Sequence, residues 1–229
     1  MRVGIISDIH GNVIALEKII KYFKSNNVEK IIHLGDAIGI GPFPIETLEY
    51  FNSLNNCEMI LGNHENYQIS KFSIDMGVEE LKHQNWIKGL LENKHLVWIK
   101  TFPKIIFKDF NGKIFSFMHS VYDNKNDDFT NIPFLYIDKF EDYFKKIDSD
   151  ILFYGHSHFR QLNKWKKEYC NPGSAGCSKR NETQFIILTI DEKEYRIDNI
   201  CIEYNKKQLL EEFKIKNVPG KEEILRIFY

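Results

Sequence analysis

Residues 2–12 read RVGIISDIHGN, a short apolar, β-branched run that leads directly into Asp8 and His10. Beyond this stretch, apolar residues return at helical spacing, at Leu16, Ile19, Ile20 and Phe23. Because one face of a helix recurs every three or four positions, the pattern predicts a strand, a polar loop and a helix in that order. The polar residues therefore follow the C-terminal end of a predicted strand.

The same arrangement recurs further along the chain. Lys30–Leu34 is strand-like and leads into Gly35-Asp36, after which Pro44 suits the first turn of a second helix. Glu58–Leu61 is a third short strand, followed by Gly62-Asn63-His64-Glu65. Strands that deliver polar residues at their C-terminal ends, with helices between them, are typical of a parallel α/β sheet with its site beyond the carboxyl edge.

The second half of the chain mixes helices with antiparallel strands. A helical pattern runs from Val78 to about Thr101, and Asn111-Gly112 marks the turn of a hairpin between Ile105–Phe110 and Lys113–Met118. The other predicted elements are a polar loop at Tyr122–Asn131, a helix at Asp138–Ile147, and strands at Ile151–Tyr154, Gln161–Trp165, Phe185–Ile190 and Tyr195–Tyr204. We expect one domain over residues 1–205, with a helical C-terminal extension over 206–229 packed on it.

The composition excludes several classes of protein. The 229 residues include 31 Lys+Arg and 32 Asp+Glu, and 43% are hydrophobic, so the chain can build a sizeable core and is not mainly disordered. The balance of charge argues against general attraction to nucleic acids or anionic membranes. Asp8 comes too early for a signal peptide, and no apolar run approaches the ~18 residues of a membrane span. The four cysteines lack C-x-x-C spacing and predict reduced thiols, and we expect a cytoplasmic protein.

Side chains of the kinds that bind metal follow each of these strand ends. They comprise five histidines, two aspartates and one asparagine, namely Asp8, His10, Asp36, Asn63, His64, His119, His156 and His158. This set exceeds the needs of one tetrahedral ion and predicts two ions. Two ions ~3.5 to 4 Å apart can share a carboxylate and hold a phosphoryl group for in-line attack by a metal-bound hydroxide. Asp36 is the natural source of the bridging carboxylate.

The motifs resemble those of the calcineurin-like metallophosphoesterases. The blocks D-x-H, G-D, G-N-H-E/D, H and G-H-x-H correspond here to Asp8-Ile9-His10, Gly35-Asp36, Gly62-Asn63-His64-Glu65, His119 and Gly155-His156-Ser157-His158. The resemblance covers residues 1 to about 180. It implies an α/β fold, specifically an αββα sandwich of two mixed β-sheets flanked by helices, with a dinuclear metal site.

The resemblance also implies a role for each of these residues. Asp8, His10, Asp36 and His158 would hold the first ion, and Asp36, Asn63, His119 and His156 the second. His64 would face the scissile bond as general acid to the leaving oxygen. The nitrogen and oxygen donors accept Mn, Fe, Zn, Ni or Co, and we slightly prefer Mn.

Departures from the family pattern favour a phosphodiester as substrate. Where Ser/Thr protein phosphatases of this fold have phosphate-binding arginines, this chain has Ile40 and Leu61, and Gly39 replaces the aspartate that orients the catalytic histidine. Aliphatic side chains cannot bind a dianion through paired hydrogen bonds. The loop at 35–42 and the run Asn171-Pro172-Gly173-Ser174 are similar to those of small, stand-alone prokaryotic members of the family, which are often assigned as phosphodiesterases or left unassigned.

The sequence also allows other functions. The alternatives are a phosphomonoesterase of the same fold, acting on a protein or a nucleotide, and a non-catalytic protein-binding scaffold such as a retromer subunit of this fold. A nuclease is disfavoured by the near-neutral composition. We expect a small-molecule phosphoester as the partner, and homo-oligomers are allowed.

Several further residues have a functional and a structural interpretation. Asn12 is either the N-cap of the first helix or a site contact, and Arg160 or Arg180 is a candidate to replace the missing phosphate clamps. His33 lies in an apolar strand and is predicted to pack in the core. His83 and His95 lie on a helical stretch with lysines and are predicted to be solvated. Three acidic residues of the polar loop are also interpreted as solvated, namely Asp123, Asp127 and Asp128.

Overall fold

The computed structural model describes residues 1–70, 76–130, 137–164 and 166–229. Its strands, in chain order, are β1 (Arg2–Ile6), β2 (Lys30–His33), β3 (Cys57–Met59), β4 (Ile105–Phe110), β5 (Lys113–Met118), β6 (Tyr122–Asp123), β7 (Asp128–Phe129), β8 (Ile151–Phe153), β9 (Gln161–Lys164), β10 (Glu168–Asn171), β11 (Glu182–Ile190) and β12 (Tyr195–Glu203). Its helices are α1 (Val13–Ser25), α2 (Pro44–Asn52), α3 (Asn63–Ile69), α4 (Val78–Leu90), α5 (Asn93–Ile99), α6 (Ile137–Phe144), α7 (Lys206–Ile215) and α8 (Lys221–Phe228).

The strands form two five-stranded mixed sheets and a small two-stranded ribbon. The first sheet has the order β12-β11-β1-β2-β3, in which β1, β2 and β3 run parallel and β11 and β12 are antiparallel neighbours. The second has the order β4-β5-β8-β10-β9, with β5, β8 and β10 parallel. The parallel strands of each sheet end at one edge, which is where the polar loops lie.

The two sheets pack face to face through an apolar core. Val3, Ile5, Ile32 and Leu34 of the first sheet share one buried cluster with Phe115, Phe117, Ile151 and Phe153 of the second. The opposite face of the first sheet packs under α1 and α2, while Phe144 of α6 packs on the second. The predicted αββα sandwich is confirmed.

Some elements differ from the sequence-based prediction. The third strand ends at Met59 instead of at the predicted Leu61. A short loop follows it, and α3 starts at Asn63. The helical stretch from Val78 is two helices, and the polar loop after His119 contains the ribbon of β6 and β7. The short strand β10 was not predicted. Trp165, the predicted end of β9, and Asn131, the predicted end of the polar loop, lie outside the described residues.

Three histidines outside the predicted site are buried. His33 packs its ring 4.6 Å from that of Phe51, as predicted for a core residue. The prediction that His83 and His95 are solvated is wrong, because both are buried. His83 Nδ1 lies 3.2 Å from the carbonyl oxygen of Pro219, and His95 Nδ1 accepts a hydrogen bond from Glu92 N at 3.0 Å.

The C-terminal helices pack on the same apolar cluster as α1. Leu209 and Phe213 of α7 and Ile224 of α8 are buried in it. The four cysteines are free thiols. Within the described part of the chain, every helix is too short or too polar to cross a membrane.

Candidate metal centre

The structure brings the predicted ligands together at the carboxyl edge of both sheets. Asn63, His119 and His156 form one group: His119 Nε2 lies 2.8 Å from Asn63 Oδ1 and 3.2 Å from His156 Nδ1. The third side of this triangle, from His156 Nδ1 to Asn63 Oδ1, measures 2.9 Å. The three residues follow β5, β8 and β3, so the group joins the two sheets.

Asp8, His10 and His158 form a second group. The Nε2 atoms of the two histidines are 2.8 Å apart, and Asp8 Oδ1 lies 3.5 Å from His158 Nε2 and 3.8 Å from His10 Nε2. The backbone N–H of His156 donates to the Asp8 carboxylate at 3.2 Å and links this group to the first.

Asp36 stands between the two groups. Its Oδ2 lies 3.3 Å from His119 Nε2 and 3.7 Å from His10 Nε2, one residue of each group. Its Oδ1 accepts the backbone N–H of His64 at 3.0 Å. This is the position that the sequence predicts for a bridging carboxylate.

The donor set suits divalent transition-metal ions. Ligand atoms bound ~2.0–2.2 Å from one ion lie about 3 Å apart when they are neighbours in its coordination sphere, and the atoms of Asn63, His119 and His156 have that spacing. The side chains of Asp36, His119 and His156 can together hold a metal ion, as can those of His10, Asp36 and His64. These nitrogen and oxygen donors are buried or partly buried.

Hydrogen bonds behind the histidines fix which nitrogen faces the centre. His10 Nδ1 lies 3.2 Å from the Ile38 carbonyl oxygen, and His119 Nδ1 lies 3.0 Å from that of Leu34. A ring that donates Nδ1–H to a carbonyl keeps the Nε2 lone pair for a metal. Such backing bonds orient ligands in metal sites generally.

The loops that carry the candidate ligands have unusual backbone conformations. Five of the seven predicted ligands have left-handed φ values: Asp8 55°, His10 47°, Asp36 60°, His156 68° and His158 60°. Each such residue costs of order 1–3 kcal/mol and persists only where its surroundings enforce the conformation. Here backbone bonds between the loops do so, including Asp8 N to Gly35 O at 3.1 Å. Strain of this kind concentrates at functional sites.

The electrostatics couple the acids and the histidines. Burial would raise the pKa of Asp8, but the hydrogen bond and charge of His158 outweigh burial and hold the pKa below its ordinary value. Burial lowers the pKa of His10 well below its ordinary value. Burial lowers the pKa of His119, but the charge and hydrogen bond of Asp36 together with the charges of Asp8 and Glu65 outweigh burial and raise it to about 9.

Glu65 supports the centre from behind and had no predicted role. Its carboxylate accepts the backbone N–H groups of Asp36 at 2.8 Å and Ile38 at 3.0 Å, and that of Gly62 at 3.1 Å. Burial raises its pKa to about 7. Glu65 therefore ties the loop that carries Asp36 to the start of α3.

His64 lies beside the centre with its Nε2 4.0 Å from Asp36 Oδ2. On the other side of the ring, Nδ1 lies 2.8 Å from Gln84 Nε2, and Gln68 Nε2 donates to Gln84 Oε1 at 2.8 Å. A Cβ added at Gly39 would collide with this ring, so the position where the protein phosphatases have their aspartate is next to His64 Nδ1 here as well. A glutamine from α4 takes the place of that carboxylate, and nothing in the local sequence pattern marks it.

The candidate substrate-binding residues have different surroundings. Asn12 is fully buried: its Oδ1 caps α1 by accepting Ala15 N at 3.0 Å, and its Nδ2 donates to Gly176 O at 2.8 Å. Both ends of this side chain are thus engaged in structural bonds. Arg160 is partly buried, and one of its terminal nitrogens donates to Ile200 O at 2.6 Å. The side chain of Arg180 is 82% exposed and pairs with Glu182 at 3.8 Å.

Cys177 adds a sulfur atom that the sequence analysis did not place at the centre. Its Sγ and the ring nitrogens of His10 and His158 all lie within 4.8 Å of one another. The thiol is buried, and burial raises its pKa to about 12. The cysteine follows the Asn171–Ser174 turn, whose neighbouring N–H groups bond the backbone of β1 and its loop.

Two recesses meet at the centre. The polar cavity, about 570 Å³, is lined by Asp36, Asn63, His156 and His158 together with Arg160 and Lys179. The apolar groove, about 360 Å³, runs between the start of α4 and the helix α8. Four residues line both recesses, namely Ile40, His64, Ile227 and Phe228.

The sequence matches one protein family. Residues 1–193 match the profile of the calcineurin-like phosphoesterase superfamily domain. A protein of Methanocaldococcus jannaschii, itself uncharacterised, is 29% identical over 238 residues that cover 95% of this chain and 93% of its own.

Two shorter matches have named activities. A symmetrical bis(5'-nucleosyl)-tetraphosphatase of Psychromonas ingrahamii is 28% identical over 110 residues, 45% of this chain and 38% of its own. A phosphodiesterase of Methanocaldococcus jannaschii is 30% identical over 92 residues, 40% of this chain and 46% of its own. Both matches span less than half of the relative.

Solved structures share the fold over the whole chain. A metallophosphoesterase from Sphaerobacter thermophilus is 21% identical with a TM-score of 0.75, covering 98% of this chain and 97% of its own. A hypothetical protein from Pyrococcus horikoshii is 18% identical with a TM-score of 0.80, covering 100% of this chain and 97% of its own. At these identities the likeness establishes the fold alone.

Proposed function

The chain belongs to the calcineurin-like phosphoesterase superfamily, and on that premise we propose that it hydrolyses one ester bond of a soluble phosphodiester. The observation that carries the proposal is the position of His64, which lines both the polar cavity and the apolar groove. A phosphodiester has two substituents on one phosphorus. Two recesses that meet at one side chain give each substituent its own space.

Two divalent metal ions fit the proposed site. The first would be held by Asp8, His10, Asp36 and His158, and the second by Asp36, Asn63, His119 and His156. Bound there, the ions would supply Lewis-acid activation of the phosphoryl group and of a water molecule. Mn is slightly preferred among Mn, Fe, Zn, Ni and Co, all of which accept nitrogen and oxygen donors.

His64 would protonate the leaving oxygen. Its Nε2 faces the centre near Asp36, while Gln84 holds the opposite ring nitrogen. A general acid must reach the reacting oxygen within hydrogen-bond distance, and a ring fixed at one nitrogen presents the other in a defined direction. Gln84 is then a positioning residue.

The walls of the site support a diester over a monoester. Ile40 lines both recesses at a position where a phosphatase would need an arginine, so a phosphoryl dianion finds no paired hydrogen-bond donors there. Arg160 and Lys179 bring positive charge only to the polar cavity. The relative named a phosphodiesterase agrees with this choice over the stretch that it shares.

The proposal is tested by comparing two chromogenic esters on metal-loaded protein. We expect kcat/KM for bis(p-nitrophenyl) phosphate to exceed that for p-nitrophenyl phosphate. A monoesterase rate far above the diesterase rate would overturn the choice of substrate. Bound metal without turnover of either ester would favour the non-catalytic scaffold.

Variants separate the proposed roles. His64→Ala should lower kcat while the protein retains its metal, and Asp36→Asn should reduce the metal content. Elemental analysis of both variants beside the parent protein measures this. Equal metal loss in the two variants would contradict the role of His64 as an acid.

A further inference from the structure

The apolar groove beside His64 is built by a helix outside the part of the chain that the family profile matches. The profile ends at residue 193, whereas α8 spans Lys221–Phe228. Ile224, Ile227 and Phe228 of this helix form one wall, and Val78 at the start of α4 lies opposite. The family match therefore does not account for this surface.

Carboxylates surround the groove. Glu79, Glu80 and Glu223 line it, and no lysine or arginine does so among the residues that the structure describes. Glu79 is paired with Lys82 at 2.6 Å, and Glu223 with Arg226 at 3.6 Å, but both cations lie outside the lining. An anionic group entering the groove would meet like charge beside apolar walls, and both disfavour it.

The polar cavity on the other side of His64 has the opposite character. It contains Arg160 and Lys179, together with the hydroxyl side chains of Ser157 and Ser178. The two recesses thus differ in charge and polarity although they share His64. A substrate that fills both must be asymmetric.

We propose that the groove binds an uncharged, largely apolar alcohol as the leaving half of the substrate, while the polar or anionic half occupies the polar cavity. The proposal rests on the proposed function. His64 lines both recesses, whereas candidate metal ligands line only the polar cavity. The group on the oxygen that His64 would protonate therefore extends away from these ligands into the groove. At about 360 Å³ the groove falls within the range of small-molecule sites.

The reaction balances as a simple hydrolysis. A water oxygen bonds to phosphorus, and the bond from phosphorus to the alcohol oxygen breaks. His64 Nε2 gives its proton to the alcohol oxygen and is reprotonated by the proton that the water releases. The products are the free apolar alcohol and a phosphomonoester of the polar half. Nucleotide leaving groups, which are anionic, are excluded by this charge pattern.

Binding of 2-naphthol tests the groove without turnover. In a fluorescence titration of the metal-loaded protein, we expect Val78→Asp to weaken 2-naphthol binding at least tenfold. Val78 lines the groove but not the polar cavity, and it is 71% exposed, so the variant should fold. Ile215→Asp is the matched control, because Ile215 is 74% exposed on α7 and does not line the groove. Equal affinity in the Val78→Asp variant and the parent would overturn the proposal.

Methyl aryl phosphodiesters test the leaving group itself. We expect KM for the 2-naphthyl ester to lie at least tenfold below KM for the 4-carboxyphenyl ester. The double variant Glu80→Lys with Glu223→Lys should reduce the difference between these two KM values. Hydrolysis of both esters with equal KM would reject the groove proposal and leave the phosphodiesterase proposal standing. If Val78→Asp weakened 2-naphthol binding but the protein hydrolysed no diester, the groove would bind apolar alcohols and the phosphodiesterase proposal would be wrong.

Discussion

Gln84 occupies a position that determines how His64 can work. A carboxylate at Nδ1 would favour a protonated ring, whereas a neutral amide fixes the ring without adding charge. Gln84 is itself held by Gln68, so the ring is oriented by two side chains in series. The glutamine pair thus provides orientation and leaves the charge of the site to the carboxylates.

Replacing Gln84 should lower the rate more than substrate binding. Gln84→Leu leaves the buried His64 Nδ1 without its partner, which costs about 1–3 kcal/mol, and we expect kcat to fall about tenfold or more with KM within about twofold. Gln84→Glu restores a hydrogen-bonding group and should recover much of kcat. Because its carboxylate favours the protonated ring, it should also shift the pH profile of kcat upward.

Steady-state kinetics against pH check this, with Asn85→Ala as control. Asn85 lies on the exposed side of the same helix, and its side chain donates to the Leu81 carbonyl at 2.9 Å, so its loss should leave kcat unchanged. If Gln84→Leu raised KM and kept kcat, Gln84 would be a binding residue and not a positioning one.

The sequence predicts the site residues that follow strands and misses those that reach the site through space. Asp36 and His119 come directly after strands, where the parallel topology gathers side chains at one edge. Gln84 lies in the middle of a helix, and Cys177 lies in a loop beyond β10, so no local pattern connects either with the centre. Their proximity is a product of tertiary packing.

At the scale of elements, the loop that follows β10 clamps the loop that follows β1. Ala175 N and Gly176 N donate to the carbonyls of Ser7 and Asp8 at 2.9 and 3.0 Å. Ser174 Oγ donates to Asp8 O at 2.8 Å. The two sheets are therefore tied together at the edge where the candidate ligands lie.

Adding one methyl group in this clamp should destabilise the protein. A Cβ at Gly176 would overlap the backbone carbonyl of Ile9, and since backbone cannot move aside easily, we expect Gly176→Ala to lower the free energy of unfolding by more than about 2 kcal/mol. Urea unfolding measures the change. Gly89→Ala is the control. A Cβ at this position in α4 meets open space, and the substitution should raise the free energy of unfolding by at most about 1 kcal/mol. If Gly176→Ala unfolded at the same urea concentration as the parent protein, the interpretation of these two loops as a tightly packed clamp would be wrong.

The elements that the sequence predicts well are those with a clear apolar period. The β4–β5 hairpin forms around Asn111 and Gly112, both with left-handed φ as its turn requires. β10 (Glu168–Asn171) was missed because two of its four residues are polar, although all four are buried. The carboxylate of Glu168 pairs with Lys164 Nζ at 3.3 Å and accepts a hydrogen bond from the hydroxyl of Tyr195 at 2.6 Å. The contact with Tyr195 depends on a partner 27 residues away, which the local sequence pattern does not show.

At the scale of the whole molecule, buried histidines should make the fold sensitive to acid. Burial lowers the pKa of His33 to about 3 and of His83 to about 4, against 6.5 in an unfolded chain. As pH falls below 6.5, the unfolded chain binds protons that the folded chain does not, so stability is lost progressively down to these lower values. Each histidine contributes about 1.4 kcal/mol per pH unit in that window.

His33→Asn removes one of the histidines that bind a proton in the unfolded chain. The asparagine still offers an acceptor to Gly35 N, which in the parent protein donates to His33 Nδ1 at 3.3 Å. The shorter side chain lowers stability at every pH, but the slope of the free energy of unfolding between pH 6 and pH 5 should decrease by about 1.4 kcal/mol per pH unit. Urea titrations at several pH values give this slope. An unchanged slope would mean that His33 is protonated in the folded protein.

The central position of β1 in its sheet constrains how the chain can fold during synthesis. β1 pairs with β2, which follows closely, but also with β11, whose register joins Arg2 to Thr189. One edge of β1 therefore stays open until β11 has also been made. Until then its unpaired N–H and C=O groups are available to other strands, so a chaperone that shields apolar strand edges should raise the yield of folded protein.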